Sequence, residues 1–194
     1  MKTYVQIGAN VGNDDFQREI ELLEEFSLIV LVEPNDRLLD DLKKNYSKVK
    51  EKHEVVVCNK AISTKASNEK LYLYNGTGLS SLIKRKSHIT PVGEIDVELI
   101  TFSDLCKTYN ISEIELLQID TEGLDYEIVN SIDFEEVKIN TLIFEVWTYS
   151  EDDLNNVYTT GPEFLDQMSK GKLGELYDWT KIRNSCDHKL TLKK

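Results

Sequence analysis

The segment Val5-Gln6-Ile7-Gly8-Ala9-Asn10-Val11-Gly12-Asn13 constrains the fold more than any other part of the chain. Thr3 to Ile7 is a short apolar run of strand type. Gly8 breaks it, and Asp14 or Asp15 can cap a helix that begins near Phe16. A strand, a glycine turn and a helix open a doubly wound α/β sheet, and the glycines let the backbone approach a ligand. A second apolar run, Leu28 to Val32, ends in Glu33. That is about 20 residues past the turn, where an acid accepts hydrogen bonds from a ribose. Turn and acid together read as a nucleoside-cofactor site.

The turn also narrows the cofactor. A dinucleotide fingerprint has three glycines, whereas here Asn10 stands between Gly8 and Gly12. It also seats a pyrophosphate on the helix N-terminus. Asp14 and Asp15 occupy that end and would repel it. They tolerate a ligand that carries an ammonium and a sulfonium, such as S-adenosylmethionine. As plain capping acids that complement the helix dipole they would be equally well placed.

The 194 residues suit one α/β domain spanning 1–194. With 23 basic and 35 acidic side chains the net charge is -12, which as a whole repels nucleic acid and anionic membrane. Cys58, Cys106 and Cys186 are odd in number and far apart, with neither zinc spacing nor a disulfide framework. The chain opens directly on a strand and has no apolar run long enough to span a membrane. A reduced, cytoplasmic setting is the expectation.

Phe16, Ile20, Leu23 and Phe26 recur at helical spacing, and Asn35 can cap a second helix with Leu38, Leu39, Leu42 and Tyr46 on one face. Strands are expected over Val55 to Cys58, Lys70 to Asn75, about Ile95 to Leu99, Glu115 to Ile119 and Thr141 to Val146. Gly76 to Leu82 is a loop that either closes over a substrate or simply connects. Lys84-Arg85-Lys86 is a basic run, and such runs are usually solvated faces. Ser103 can cap a short helix, and another should carry Tyr126, Val129 and Ile132 inward. Ser150 and Pro162 suit the starts of two more. Glu175 to Trp179 and Lys189 to Leu192 read as a closing antiparallel pair.

Glu33, Asp120 and Glu145 fall at strand ends, and Glu122 follows Asp120 closely. In a parallel sheet those ends share one rim, so the acids converge on one crevice. The order of motifs here resembles the FkbM-type methyltransferases, which are S-adenosylmethionine-dependent. The matching pieces are Gly8-Ala9-Asn10-Val11-Gly12, Val32-Glu33-Pro34-Asn35, Asn59-Lys60-Ala61-Ile62-Ser63, Ser80-Ser81-Leu82, Thr101-Phe102-Ser103-Asp104-Leu105, Ile119-Asp120-Thr121-Glu122-Gly123 and Phe144-Glu145-Val146. They run in order to about Trp147, and the last quarter of the chain carries none.

The resemblance implies a Rossmann-like, mostly parallel sheet of class I methyltransferase type, here with a C-terminal antiparallel edge. It implies that Gly8, Ala9 and Gly12 line the methionine part of the cofactor, with Asn10 in the same turn. Glu33, followed by Pro34 and Asn35, would hold the ribose. Ala61 and Ile62 would flank the adenine, and Asp120 would lie near the methyl group. The family usually has an acid where this chain has Gln6, whose amide can still bond the cofactor's amino group. It often has a lysine where this chain has Gln118, and Ala-Glu where this chain has Leu124-Asp125.

Methyl transfer to a hydroxyl needs alignment and a base, for which Asp120 or Glu122 is best placed and His88 is a weaker candidate. A divalent ion on Asp120, Glu122 and Glu145 is the less favoured reading, so no metal is expected. The resulting expectation is an O-methyltransferase acting on a small molecule or glycan, with no nucleic acid or membrane partner and an open oligomeric state. The alternatives are a non-catalytic cofactor-binding module and a nicotinamide-dependent oxidoreductase.

Overall fold

A computed structural model describes residues 1–75, 80–84, 90–145, 166, 168–182 and 187–194. The first strand, β1 (Lys2–Ile7), leads through helix α1 (Asp15–Glu21) into β2 (Ser27–Val32). A 3-10 turn over Asp36–Leu38 and helices α2 (Leu39–Asn45) and α3 (Ser47–Lys50) then precede β3 (Glu54–Cys58). Three further strands follow, β4 (Ala61–Ile62), β5 (Ser67–Leu73) and β6 (Gly93–Ile100). Helix α4 (Phe102–Thr108), β7 (Glu113–Ile119), α5 (Asp125–Ser131) and β8 (Lys138–Glu145) continue the chain. It ends with α6 (Lys172–Leu176), β9 (Tyr177–Lys181) and β10 (Asp187–Leu192).

The main sheet has seven strands in the order β3-β2-β1-β7-β8-β10-β9. The ladder from β3 to β8 is parallel, and β10 pairs antiparallel with both β8 and β9. β2 shows why the centre holds: every residue of Ser-Leu-Ile-Val-Leu-Val is buried, as expected of a parallel strand covered on both faces. One face packs Tyr4, Ile29 and Leu31 against Phe16, Ile20, Leu42 and Tyr46. The other packs Val5, Val30 and Leu117 against Leu105, Ile128 and Leu173. This is the doubly wound α/β sheet with an antiparallel C-terminal edge that the apolar pattern implied.

Several local expectations change. α1 ends at Glu21 rather than running on to Phe26, which is 59% exposed. α4 is capped by Thr101, not Ser103: the Thr101 hydroxyl accepts from Asp104 N at 3.0 Å, and Asp104 accepts from Thr101 N at 3.1 Å. β4, β5 and β6 form a separate three-stranded sheet in the order β4-β6-β5, with its own cluster of Ala61, Leu71, Leu73, Val97 and Leu99. Cys58 and Cys106 are buried and free. His88, Arg85, Lys86, Trp147, Ser150, Pro162 and Cys186 lie outside the described residues. Among the described residues no helix is long and apolar enough to cross a membrane.

Candidate active site

From β1 the chain passes to β2 and β3 on one side, then returns to place β7 and β8 on the other. β1 and β7 therefore flank the switch point, where ligands bind beyond the carboxyl ends of parallel strands. A cleft opens there, lined by Gly8, Asn10, Glu33, Ala61, Ile62 and Asp120 among others.

Gly8 takes a φ of +84°, and its N–H and that of Ala9 both donate to Val32 O, at 2.9 and 3.0 Å. A Cβ on Gly8 would meet Asp120 O, so only glycine lets the turn pass this close to β7. Glu33 is buried at the end of β2. Its Oε2 accepts Asn10 N and its Oε1 accepts Asn35 N, both at 2.8 Å. Burial raises its pKa, and the two N–H donors pull it partly back. Each oxygen keeps a lone pair for a diol. Asn59 completes the corner, its amide donating to Glu33 O and Pro34 O at 2.9 and 3.0 Å.

Not every residue expected at the cofactor faces the cleft. Pro34 lines it. Ala9 is fully buried in the core against α1 and α2. Gly12 packs on the Tyr46 ring. Asn35 serves as the brace of Glu33 and as the cap of the 3-10 turn, its Oδ1 accepting Arg37 N. Gln6 is 1% exposed and donates through Nε2 to Asp14 Oδ2 at 2.6 Å. Asp14 in turn caps α1 through Gln17 N. A carboxylate thus stands beside Gln6, supplied by the next helix and not by β1.

Asp120, Glu122 and Glu145 come together: one carboxylate oxygen from each lies within 4.8 Å of the others. Such oxygens could share a divalent cation, although acidic groups commonly cluster without one. Asp187, paired with Glu145 in the ladder, adds to the negative field. Desolvation first, then repulsion from Asp125, Glu145, Glu122 and Asp187, push the Asp120 pKa up to about 8. Asp120 is open to solvent at the cleft mouth, so the crowding of like charges is the firmer of the two causes.

Sequence reasoning missed what shapes the turn after Asp120. Asp125 is buried and accepts from Thr121 Oγ1 at 2.8 Å and from Thr121 N and Gly123 N at 3.3 Å. Burial raises its pKa against those bonds. The wall opposite, with Leu71, Ser80 and Leu82, comes from the small sheet and its loop. The motif Ser80-Ser81-Leu82 is the sequence signal for it.

The cleft suits S-adenosylmethionine on its own geometry. A close backbone approach at Gly8 and a buried acid with free lone pairs meet the needs of the nucleoside. Ala61, Ile62, Leu71 and Leu82 give the cleft an apolar lining suited to a flat base. Sheet order, switch-point cleft and buried acid fit the class I S-adenosylmethionine-dependent methyltransferase fold, and the family match fixes S-adenosyl-L-methionine as the cofactor. The sequence matches the Methyltransferase FkbM domain over residues 6–171, and the chain belongs to that family. No curated protein matches the sequence. Among solved structures the fold is similar to that of a putative rRNA-methylase from Clostridium thermocellum. That match has a TM-score of 0.55 at 9% identity and covers 100% of this chain and 87% of that one. It is also similar to the N-terminal domain of human METTL16, with a TM-score of 0.50 at 10% identity, covering 99% and 61%. Membership of a methyltransferase family removes the nicotinamide-dependent alternative.

Proposed function

We propose that the protein methylates a hydroxyl group of a small molecule or glycan, with Asp120 as the general base. The observation that carries this reading is the place of Asp120. It lines the same cleft as Gly8 and Glu33, and its pKa of about 8 lies near a working pH. Glu33 would hold the ribose, while Ala61 and Ile62 would flank the adenine. The Gly8 backbone would admit the methionine part. When bound, S-adenosylmethionine supplies a methyl group already activated on a sulfonium.

The work left to the chain is alignment and proton removal. Asp120 takes the hydroxyl proton onto its carboxylate and releases it to solvent at the cleft mouth. Nearby positive charge on the cofactor favours the ionised carboxylate, so binding itself readies the base. Glu122 stands beside it as a second acceptor. Glu145 and Asp187 extend the negative rim, and the whole chain carries a net charge of -12. Both features favour a neutral polyhydroxyl acceptor over a polyanion such as nucleic acid, in a cytoplasmic setting.

The test is transfer of a labelled methyl group from S-adenosylmethionine to panels of sugars, hydroxylated small molecules and RNA. The expected result is label on a hydroxyl of the first two panels and none on RNA. Label on RNA bases would overturn the acceptor assignment. Cofactor binding with no transfer to any panel would support the non-catalytic module instead.

A further inference from the structure

We propose that Ser81 is a positioning residue that ties the two walls of the cleft together and so sets its affinity for cofactor. It touches no reacting atom, and its contact with Glu122 is to the backbone carbonyl and not to the carboxylate. This inference rests on the reading of the cleft as the cofactor site.

Ser81 is 1% exposed and fixed to the small sheet by its backbone. Tyr72 N donates to Ser81 O at 2.9 Å, and Ser81 N donates to Tyr72 O at 3.0 Å. Its hydroxyl then reaches across to the main sheet and donates to Glu122 O at 2.9 Å, while accepting from Ile83 N at 3.1 Å. The residues on either side of it, Ser80 and Leu82, line one wall of the cleft, and Thr121 and Glu122 line the other. One buried hydroxyl therefore spans the two walls.

The receiving carbonyl belongs to a strained residue. Glu122 has a φ of +58°, a left-handed conformation that side chains other than glycine seldom adopt. Such a conformation persists only when its surroundings over-determine it. Asp125 holds the turn from below through Thr121 and Gly123, and Ser81 holds it from the side. Without the hydroxyl, Glu122 O and Ile83 N lose a buried partner. The turn is then free to relax away from the small sheet, and the cleft widens where the ligand must be gripped.

The experiment measures the affinity of S-adenosylhomocysteine by calorimetry at a temperature where every variant is folded. Circular dichroism checks the folding. Ser81→Ala removes the hydroxyl, Ser81→Cys keeps the volume with a poor donor, and Ser81→Thr restores the donor. The expected result is affinity about tenfold weaker in folded Ser81→Ala and Ser81→Cys, the size of one lost hydrogen bond, and recovery in Ser81→Thr. Wild-type affinity in either folded variant, with only the melting temperature lowered, would reduce Ser81 to a structural residue and overturn the proposal. Absence of binding by the wild type would count against the cofactor site itself, a separate outcome.

Discussion

Gly8 rests against the carbonyl of Asp120: a Cβ on Gly8 would clash with that oxygen. The contact locks the turn after β1 to the strand that ends in the candidate base, and Asp120 N donating to Ile7 O at 2.9 Å secures it. Gly8→Ala should therefore damage fold and site together. A left-handed alanine costs about 1–2 kcal/mol and the forced displacement about 1–3 kcal/mol more. Guanidinium unfolding should show a loss of about 2–5 kcal/mol. A variant of wild-type stability would mean that β1 and β7 can separate at no cost.

Glu33 is held by two backbone donors, Asn10 N and Asn35 N, before any ligand arrives. Glu33→Gln puts an NH₂ where one of those donors points and removes the charge. A hydrogen bond to a charged group contributes about 1.5–3 kcal/mol, so S-adenosylhomocysteine should bind about 10- to 150-fold more weakly. The acid's raised pKa adds a pH dependence. Ligand hydroxyls bond the ionised form, so wild-type affinity should fall as pH drops through that raised value. The variant should not follow. Calorimetry across this range that gave parallel curves would take Glu33 off the ribose.

The Gln6–Asp14 bond explains why an acid at position 6 would be unwelcome here. The Gln6 amide donates to Asp14 at 2.6 Å and its carbonyl lies 3.5 Å from the Tyr46 hydroxyl. Gln6→Glu would set two carboxylates against each other with one of them buried, a loss of about 1–3 kcal/mol. The double variant Gln6→Glu/Asp14→Asn reverses donor and acceptor and should recover most of it. Additive losses in the unfolding cycle would show that the two residues are not coupled.

What could be read from sequence follows from how local each signal is. β2 is a continuous apolar run ending in an acid, so both the strand and Glu33 at the rim were legible. The small sheet was not: β4 is two residues long, and its partners are non-local. Asp125 reads as an ordinary polar residue because burial of a carboxylate depends on donors that only the folded turn brings to it. Phe26 keeps helical spacing with Leu23, but the helix stops before reaching it. The cap at Thr101 was available, since Asp104 lies three residues on and completes a capping box.

Asp120 should set stability and turnover in opposite directions. In the folded protein it titrates at about 8, against an ordinary 3.8. Between those values the fold keeps a proton that the unfolded chain has released. The stability contributed by this acid is thus full below about pH 4 and lost as pH rises to about 8. Asparagine has no proton to lose. Asp120→Asn should match the wild type in urea at about pH 4, grow more stable than it through neutral pH, and keep the gain above about pH 8. Turnover should fall by about 10²–10⁴-fold while S-adenosylhomocysteine affinity changes far less, because shape and hydrogen bonds remain but proton acceptance does not. Chelator should leave wild-type turnover unchanged if the carboxylate alone is the base. Inactivation by chelator with recovery in Mg²⁺ would instead place a cation among Asp120, Glu122 and Glu145. Full turnover in Asp120→Asn would shift the search for the base to Glu122, whose carboxylate shares the same cleft.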